Sequence, residues 1–229
     1  MQLWIAYEKH HTDTDRKLSI MKKAVIKRVL LTVSTILILT GCGIFKKQAT
    51  TPHYVSSFTD SEIQLIMQRD SSKPMRVLQT NITKDSLLLR EVSSDIKPDS
   101  NDPFLAALIS RMLRTVKDSA SLGVGIAAPQ VGILKRVILV QRFDKENDPF
   151  EVYLNPKIVK YSGMKQECRE GCLSVPGVRG ITKSRAYAIM IEYFKPDNTF
   201  VTEMVEGFTA VIFQHEIDHL NGLLFYDYL

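Results

Sequence analysis

Two histidines and a glutamate stand at helical spacing in Gln214-His215-Glu216-Ile217-Asp218-His219-Leu220. Residues four apart on a helix lie one above the other, so this pattern offers the imidazoles of His215 and His219 to a single metal ion, with Glu216 beside it as a general base. Two histidines at this spacing around a glutamate seldom arise from core packing, and the chemistry they predict is metal-assisted hydrolysis. Two other segments stand out, Gly123-Val124-Gly125-Ile126-Ala127-Ala128-Pro129-Gln130 and Glu170-Gly171-Cys172-Leu173-Ser174.

The source of a third ligand decides the type of site. The ten residues after His219 hold no His, Glu or Cys. A zinc peptidase with HExxH draws its third ligand from downstream. Against the extended form HExxHxxGxxH, this chain keeps Gly222 but has Phe225 in the last position. Upstream, Cys172 offers a thiolate of the kind Zn or Fe accepts. One Cys and two His leave a coordination position open, as catalysis requires. A second arrangement stays open: Cys168 and Cys172 with His215 and His219 also spell a closed Cys2His2 structural site, although such a site gives Glu216 no task and a substrate no position.

Taken together and in this order, the three segments resemble the peptide deformylases, metallohydrolases that remove the formyl group from N-formylmethionyl peptides. The resemblance runs from about Met75 to Leu229. It implies one divalent metal ion, Fe(II) or Zn(II), held by Cys172, His215 and His219. It also implies Glu216 as the acid/base, with the Gln130 amide and the Leu173 backbone N–H as oxyanion donors. A substrate pocket follows from the same likeness, at Val124, Gly125, Phe208, Val211 and Ile212, and positions 208, 211, 212 and 215 share one helix face. Arg179, seven residues past Cys172, is a candidate contact to the substrate backbone, with a solvated loop arginine as the alternative. Glu170 is expected to pair with Arg185 behind the metal ligands. Taken singly, several of these have plainer readings: glycines that permit a turn, a surface amide at Gln130, a buried small hydrophobe at Cys172.

A net charge of +5 invites a nucleic-acid reading, but its distribution removes it. Residues 1 to 47 hold nine Lys/Arg against three Asp/Glu, and the remainder hold 21 against 22. Nucleic acid is therefore not an expected partner. The basic excess belongs to a leader: Met21-Lys22-Lys23, Lys27-Arg28 and the apolar run from Val29 to Leu39 have the layout of a signal peptide. It ends in Leu39-Thr40-Gly41-Cys42, which resembles a bacterial lipobox with Cys42 as the lipidated residue. The expected organisation is an N-terminal extension of uncertain status (1–20), a lipoprotein-type signal peptide (21–41), a lipidated tether (42–60) and a catalytic domain (61–229). This places the protein in the bacterial cell envelope, anchored through Cys42 on the extracytoplasmic side of a membrane, as a monomer acting on N-formyl-Met peptides.

The elements that position the candidate residues are mixed. A short amphipathic helix is expected near Asp60. A longer one opens with Asp102 as cap and Pro103 as first residue, and carries Phe104, Leu105, Leu108, Ile109, Met112 and Val116 at helical spacing. Strand-like runs follow at 136–143, 150–161, 187–194 and near 200–205, ahead of the His-bearing helix from about Gly207. The predicted class is α+β, with antiparallel sheets packed around a central metal-binding HExxH helix. Two competing functions remain: an HExxH zinc peptidase, and a non-catalytic lipoprotein that binds formyl peptides.

Overall fold

Val137-Ile138-Leu139-Val140 is an unbroken apolar run, and its burial explains the layering of the domain. It forms β2 (Val137–Gln141), a strand covered on both faces. Side chains alternate along a strand. Val137 and Leu139 join one core cluster with Leu105, Leu108 and Met112, while Ile138 and Val140 join a second with Ile212, Phe213 and Ile217. A helix therefore lies on each side, and an apolar strand without alternation is what that position selects.

The computed structural model describes residues 57–68, 73–118 and 123–229. The leader, Cys42 and most of the tether lie outside the described residues. The helices are α1 (Asp60–Met67), α2 (Thr83–Leu89), α3 (Pro103–Val116) and α4 (Gly207–Leu220). Around β2 run β1 (Gly125–Ala127), β3 (Phe150–Tyr161), β6 (Ala188–Phe194) and β7 (Phe200–Glu206) in a five-stranded sheet ordered β1-β2-β3-β6-β7, antiparallel at every step. A separate two-stranded sheet pairs β4 (Lys165–Cys172) with β5 (Val175–Ala186). Antiparallel sheets with a few helices are the expected class. Among the described residues no helix is long and apolar enough to cross a membrane.

Local chemistry sets the helix boundaries. Thr59 and Glu62 form a reciprocal capping box at the start of α1. Phe58, just before it, is buried in the core. Asp102 accepts hydrogen bonds from the N–H groups of Phe104 (2.8 Å) and Leu105 (3.3 Å), and Pro103 opens α3, as the sequence predicts. The chain passes directly from β7 into α4 through Gly207, whose φ of +61° lies in the left-handed region that glycine enters without a Cβ penalty. Helix α4 is buried nearly all round, from Thr209 to Leu220, between the large sheet and the β4–β5 hairpin.

Candidate active site

Strand β4 and helix α4 face each other across a cleft of about 750 Å³. Val124, Gly125, Arg179, Phe208, Val211 and Ile212, the predicted substrate residues, all line it, and so do Gln130, Leu173 and Glu216. Val211 and Ile212 are buried, whereas Phe208 is half outside, its ring 5.5 Å from that of Phe143. The one helix face expected to carry 208, 211, 212 and 215 is the face turned to the cleft.

Ligand atoms of Cys172, His215 and His219 lie within 4.8 Å of one another, and Cys172 Sγ is 3.2 Å from His219 Nε2. Among the described residues this is the only such group, and Cys168 is not part of it; the closed Cys2His2 alternative is not formed. The alternation of β4 places Cys168, Glu170 and Cys172 on the same face, and Cys168 instead lines the cleft. Burial would push the Cys172 thiol up, but His219 and His215 override it and hold it well below the usual thiol range. A thiolate beside two imidazoles is a donor set that suits a divalent metal.

Behind the ligands stands a sealed polar cluster. Glu170 accepts from Arg185 through both oxygens (2.8 and 3.0 Å) and is bonded to His215 Nδ1 at 2.8 Å, which leaves Nε2 of that ring free to face the metal position. Thr182 Oγ1 donates to the same carboxylate. Burial acts to raise the Glu170 carboxyl, yet the bonds from His215 and Arg185 outweigh it and hold it at about 2. Arg185 also reaches Asp218 (2.6 Å), and its guanidinium lies 4.7 Å from the ring centre of Tyr228. Phe225, the residue found where the extended zinc-peptidase pattern has a histidine, stacks on the His215 ring at 6.0 Å and 21°. Gln214 pins the helix to β5 by accepting from Ala186 N–H (2.9 Å) and donating to Ala186 O (3.0 Å). The expected Glu170–Arg185 pair is therefore present. Thr182, Asp218, Phe225 and Tyr228 carried no sequence signal beyond their polarity or aromaticity.

Glu216 is buried against backbone. A Cβ on Gly125 would meet its Oε1 at 2.5 Å, so the absence of a side chain at 125 is what lets the carboxylate lie there. Burial pushes the Glu216 carboxyl up to about 7, against the pull of His215 and His219, which places it where it can both take and return a proton near neutral pH. Its Oε2 is buried with no hydrogen-bond partner among the described residues. An oxygen left so is costly unless a water or substrate serves it, which fits a site built around a hydrolytic metal. Gln130 is oriented from the other side: its Oε1 accepts from Ala127 N–H at 2.8 Å, which turns Nε2 toward Ser174 Oγ (3.3 Å) and Cys172 Sγ (3.5 Å). Its amide donor thus lies next to the metal position.

A Cys/His/His cluster with a buried carboxylate in a cleft is the signature of a metal-dependent hydrolase. The polypeptide deformylase family model matches residues 79–229, and the chain belongs to that family. It is 42% identical over 140 residues to a peptide deformylase of Desulforudis audaxviator, covering 61% of this chain and 86% of the relative. A Rhizobium meliloti peptide deformylase is 38% identical over 144 residues, covering 62% and 79%. The structure is similar to a class I type b peptide deformylase from Acinetobacter baumannii solved with Met-Ala-Ser bound (TM-score 0.59, 34% identity, covering 68% of this chain and 98% of that one). It is similar also to a probable peptide deformylase from a Synechococcus phage (TM-score 0.60, 35% identity, 68% and 99% covered). The protein is a peptide deformylase: an enzyme that removes formyl groups from N-formylmethionyl peptides and uses one divalent metal ion.

Proposed function

We propose that the enzyme works outside the cytoplasm as a lipid-anchored monomer, with Fe(II) or Zn(II) held by Cys172, His215 and His219. The observation that carries the site assignment is the convergence of those three ligand groups within 4.8 Å beside the buried Glu216 carboxyl. When bound, the metal supplies Lewis acidity, acidifying water and polarising the formyl carbonyl. Glu216 takes the proton from the attacking water and later delivers it to the departing amine. The Gln130 amide and the Leu173 N–H donate to the oxygen on which negative charge develops. Glu170 and Arg185 fix the ring of His215, and Val124, Val211 and Ile212 give the methionine side chain an apolar wall.

Formate release from a formyl-Met peptide by the metal-loaded protein tests the roles. Glu216→Gln should keep its metal and lose nearly all turnover, at least ~10²-fold for a lost acid/base. Near wild-type release at equal metal content would remove Glu216 from that role.

The extracytoplasmic reading is supported by the basic, then apolar leader ending in Leu39-Thr40-Gly41-Cys42. Its substrates would be formylated peptides beyond the membrane, such as released signal-peptide fragments, rather than nascent chains. Labelled palmitate should be incorporated into the protein and lost in Cys42→Ala; label that survives this substitution would overturn the anchor.

A further inference from the structure

Nine arginines fall among the described residues, and seven of them are engaged. Arg76 meets Asp85, Arg90 meets Asp227, Arg136 meets Asp95, Arg142 meets Asp144, and Arg185 meets Glu170. Arg111 donates to the Ile66 carbonyl, and Arg114 also has an interaction. The side chains of Arg169 and Arg179 alone have no hydrogen-bond or ion-pair partner among the described residues, and both residues line the cleft.

Their placement follows from the hairpin register, in which Arg179 pairs with Gly171 and Ile181 with Arg169. Residues 169, 171, 179 and 181 therefore share the outward face of β4–β5, opposite the face that holds Cys172 and Glu170. The Arg179 side chain lies across Gly171, where an added Cβ would stand 3.4 Å from its Cγ and 3.7 Å from its Nε. Arg169 is its diagonal neighbour, a relation that spans roughly 7 to 8 Å between strands and is within reach of two long side chains. Two like charges so placed repel unless an anion sits between them. The acids nearby are taken: Glu170 by Arg185 and His215, and exposed Glu167 by Lys183 at 3.7 Å. Glu216 is buried at the metal end of the cleft.

We propose that Arg169 and Arg179 form an anion-binding end of the substrate cleft, so that the preferred substrates are short formyl-methionyl peptides carrying a carboxylate near the third residue. The spacing comes from the strand itself. Arg169 stands three positions from Cys172, about 10 Å at the rise of an extended chain, and a peptide laid beside β4 with its formyl group at the metal reaches that far with its third residue. Val178, exposed and lining the same cleft, adds apolar surface to it. The inference rests on the deformylase reading of the cleft, and it narrows the substrate from any formylated chain to released fragments with an accessible carboxylate.

The test compares kcat/KM for formyl-Met-Ala-Ser as free acid and as C-terminal amide, with formyl-Met-Ala-Glu amide and formyl-Met-Ala-Gln amide as a second pair. The wild type should favour the anionic member by roughly five- to tenfold, mainly through KM, the range that a pair of solvent-screened charges supports. An advantage in the first pair identifies the terminal carboxylate as the ligand, and one in the second an acidic side chain. Arg169→Gln should reduce the advantage severalfold, Arg169→Lys should retain part of it, and Arg169→Gln with Arg179→Gln should bring the ratio to about one. A ratio near one in the wild type, with turnover of both peptides, overturns the proposal. The deformylated Met-Ala-Ser acid and amide, titrated calorimetrically, give a reading independent of turnover. Absence of formate from every peptide would then count against the assigned reaction, while equal binding of acid and amide would count against the arginine pair.

Discussion

Arg142 and Arg185 are buried to nearly the same degree, yet the carboxylates around them are not. Arg142 bonds to Asp144 (2.8 and 2.7 Å), Glu203 (2.7 Å) and the Tyr153 hydroxyl (2.7 Å), with Glu151 at 3.4 Å. Those acids remain a quarter to a third exposed, so water shares the work of solvating them. Arg185 is held by Glu170, which is 4% exposed, and by Asp218. The remaining capacity of the buried Glu170 carboxylate goes to Thr182 and to His215. The first cluster ties the end of β2 to β3 and β7 across the five-stranded sheet. In the second, the same kind of charge pairing passes its order on to a ring that faces the metal position. A sealed pair costs more to bury than a wet one, and here it sits where the orientation of one imidazole matters.

The strongest way to break this comparison is to remove each arginine. Arg185→Met leaves Glu170 buried with its main cation gone, and should cost on the order of 3 to 5 kcal/mol in denaturant unfolding while lowering metal affinity more than about tenfold. Arg142→Met should destabilise less, because its acids can hydrate, and should leave metal affinity as it was. Competition titration with a chelating dye checks this; equal loss of affinity in both variants would show that the two clusters do not differ in role.

A finer cut keeps the shape and removes only the charge. Glu170→Gln should weaken metal binding by roughly ten- to a hundredfold while the variant still folds. Its smaller consequence is on acid stability. The Glu170 carboxyl is held at about 2, below its ordinary 4.5, so its contribution is present above pH 4.5 and is lost as pH falls toward 2. Melting of the metal-free protein across that window should therefore fall less steeply in Glu170→Gln than in the wild type. Parallel curves would mean that the carboxylate gains nothing from its partners on folding.

Legibility in the sequence followed what each element buries. Helix α3 could be read because it has a cap, a proline in first position and one apolar stripe. Strand β3 was read with its observed bounds of 150 and 161. The hairpin β4–β5 was not read, although it carries a metal ligand. Its inward face holds Cys168, Glu170, Cys172 and Thr182 instead of aliphatic residues, so its period of two is present in position and absent in hydropathy. Missing that strand hid the place of Cys168 in the cleft and of Arg169 at its mouth. The convergence of Cys172 with the two histidines was legible through the residue types and the resemblance they carry. The sealing by Phe225 and Tyr228 was not, because aromatic residues at those positions look the same whether they cover a ligand or merely fill a gap.

Cys172 and His219 stand 47 positions apart and on separate layers, the small hairpin and the helix that packs on the large sheet. The two ladders meet at the links between them, where the Ser162 N–H donates to the Ala188 carbonyl (2.8 Å) and the Tyr187 N–H to the Met164 carbonyl (2.9 Å), well away from the metal ligands in sequence. A cation gripped by both residues is thus also a cross-link, closing a loop of that length much as a disulfide would. By chain-entropy reckoning, such a closure takes about 4 kcal/mol of conformational freedom from the unfolded chain. The ion needed for the chemistry would on this count also act as a clasp, restricting the unfolded chain more than any single side-chain contact between the same two layers.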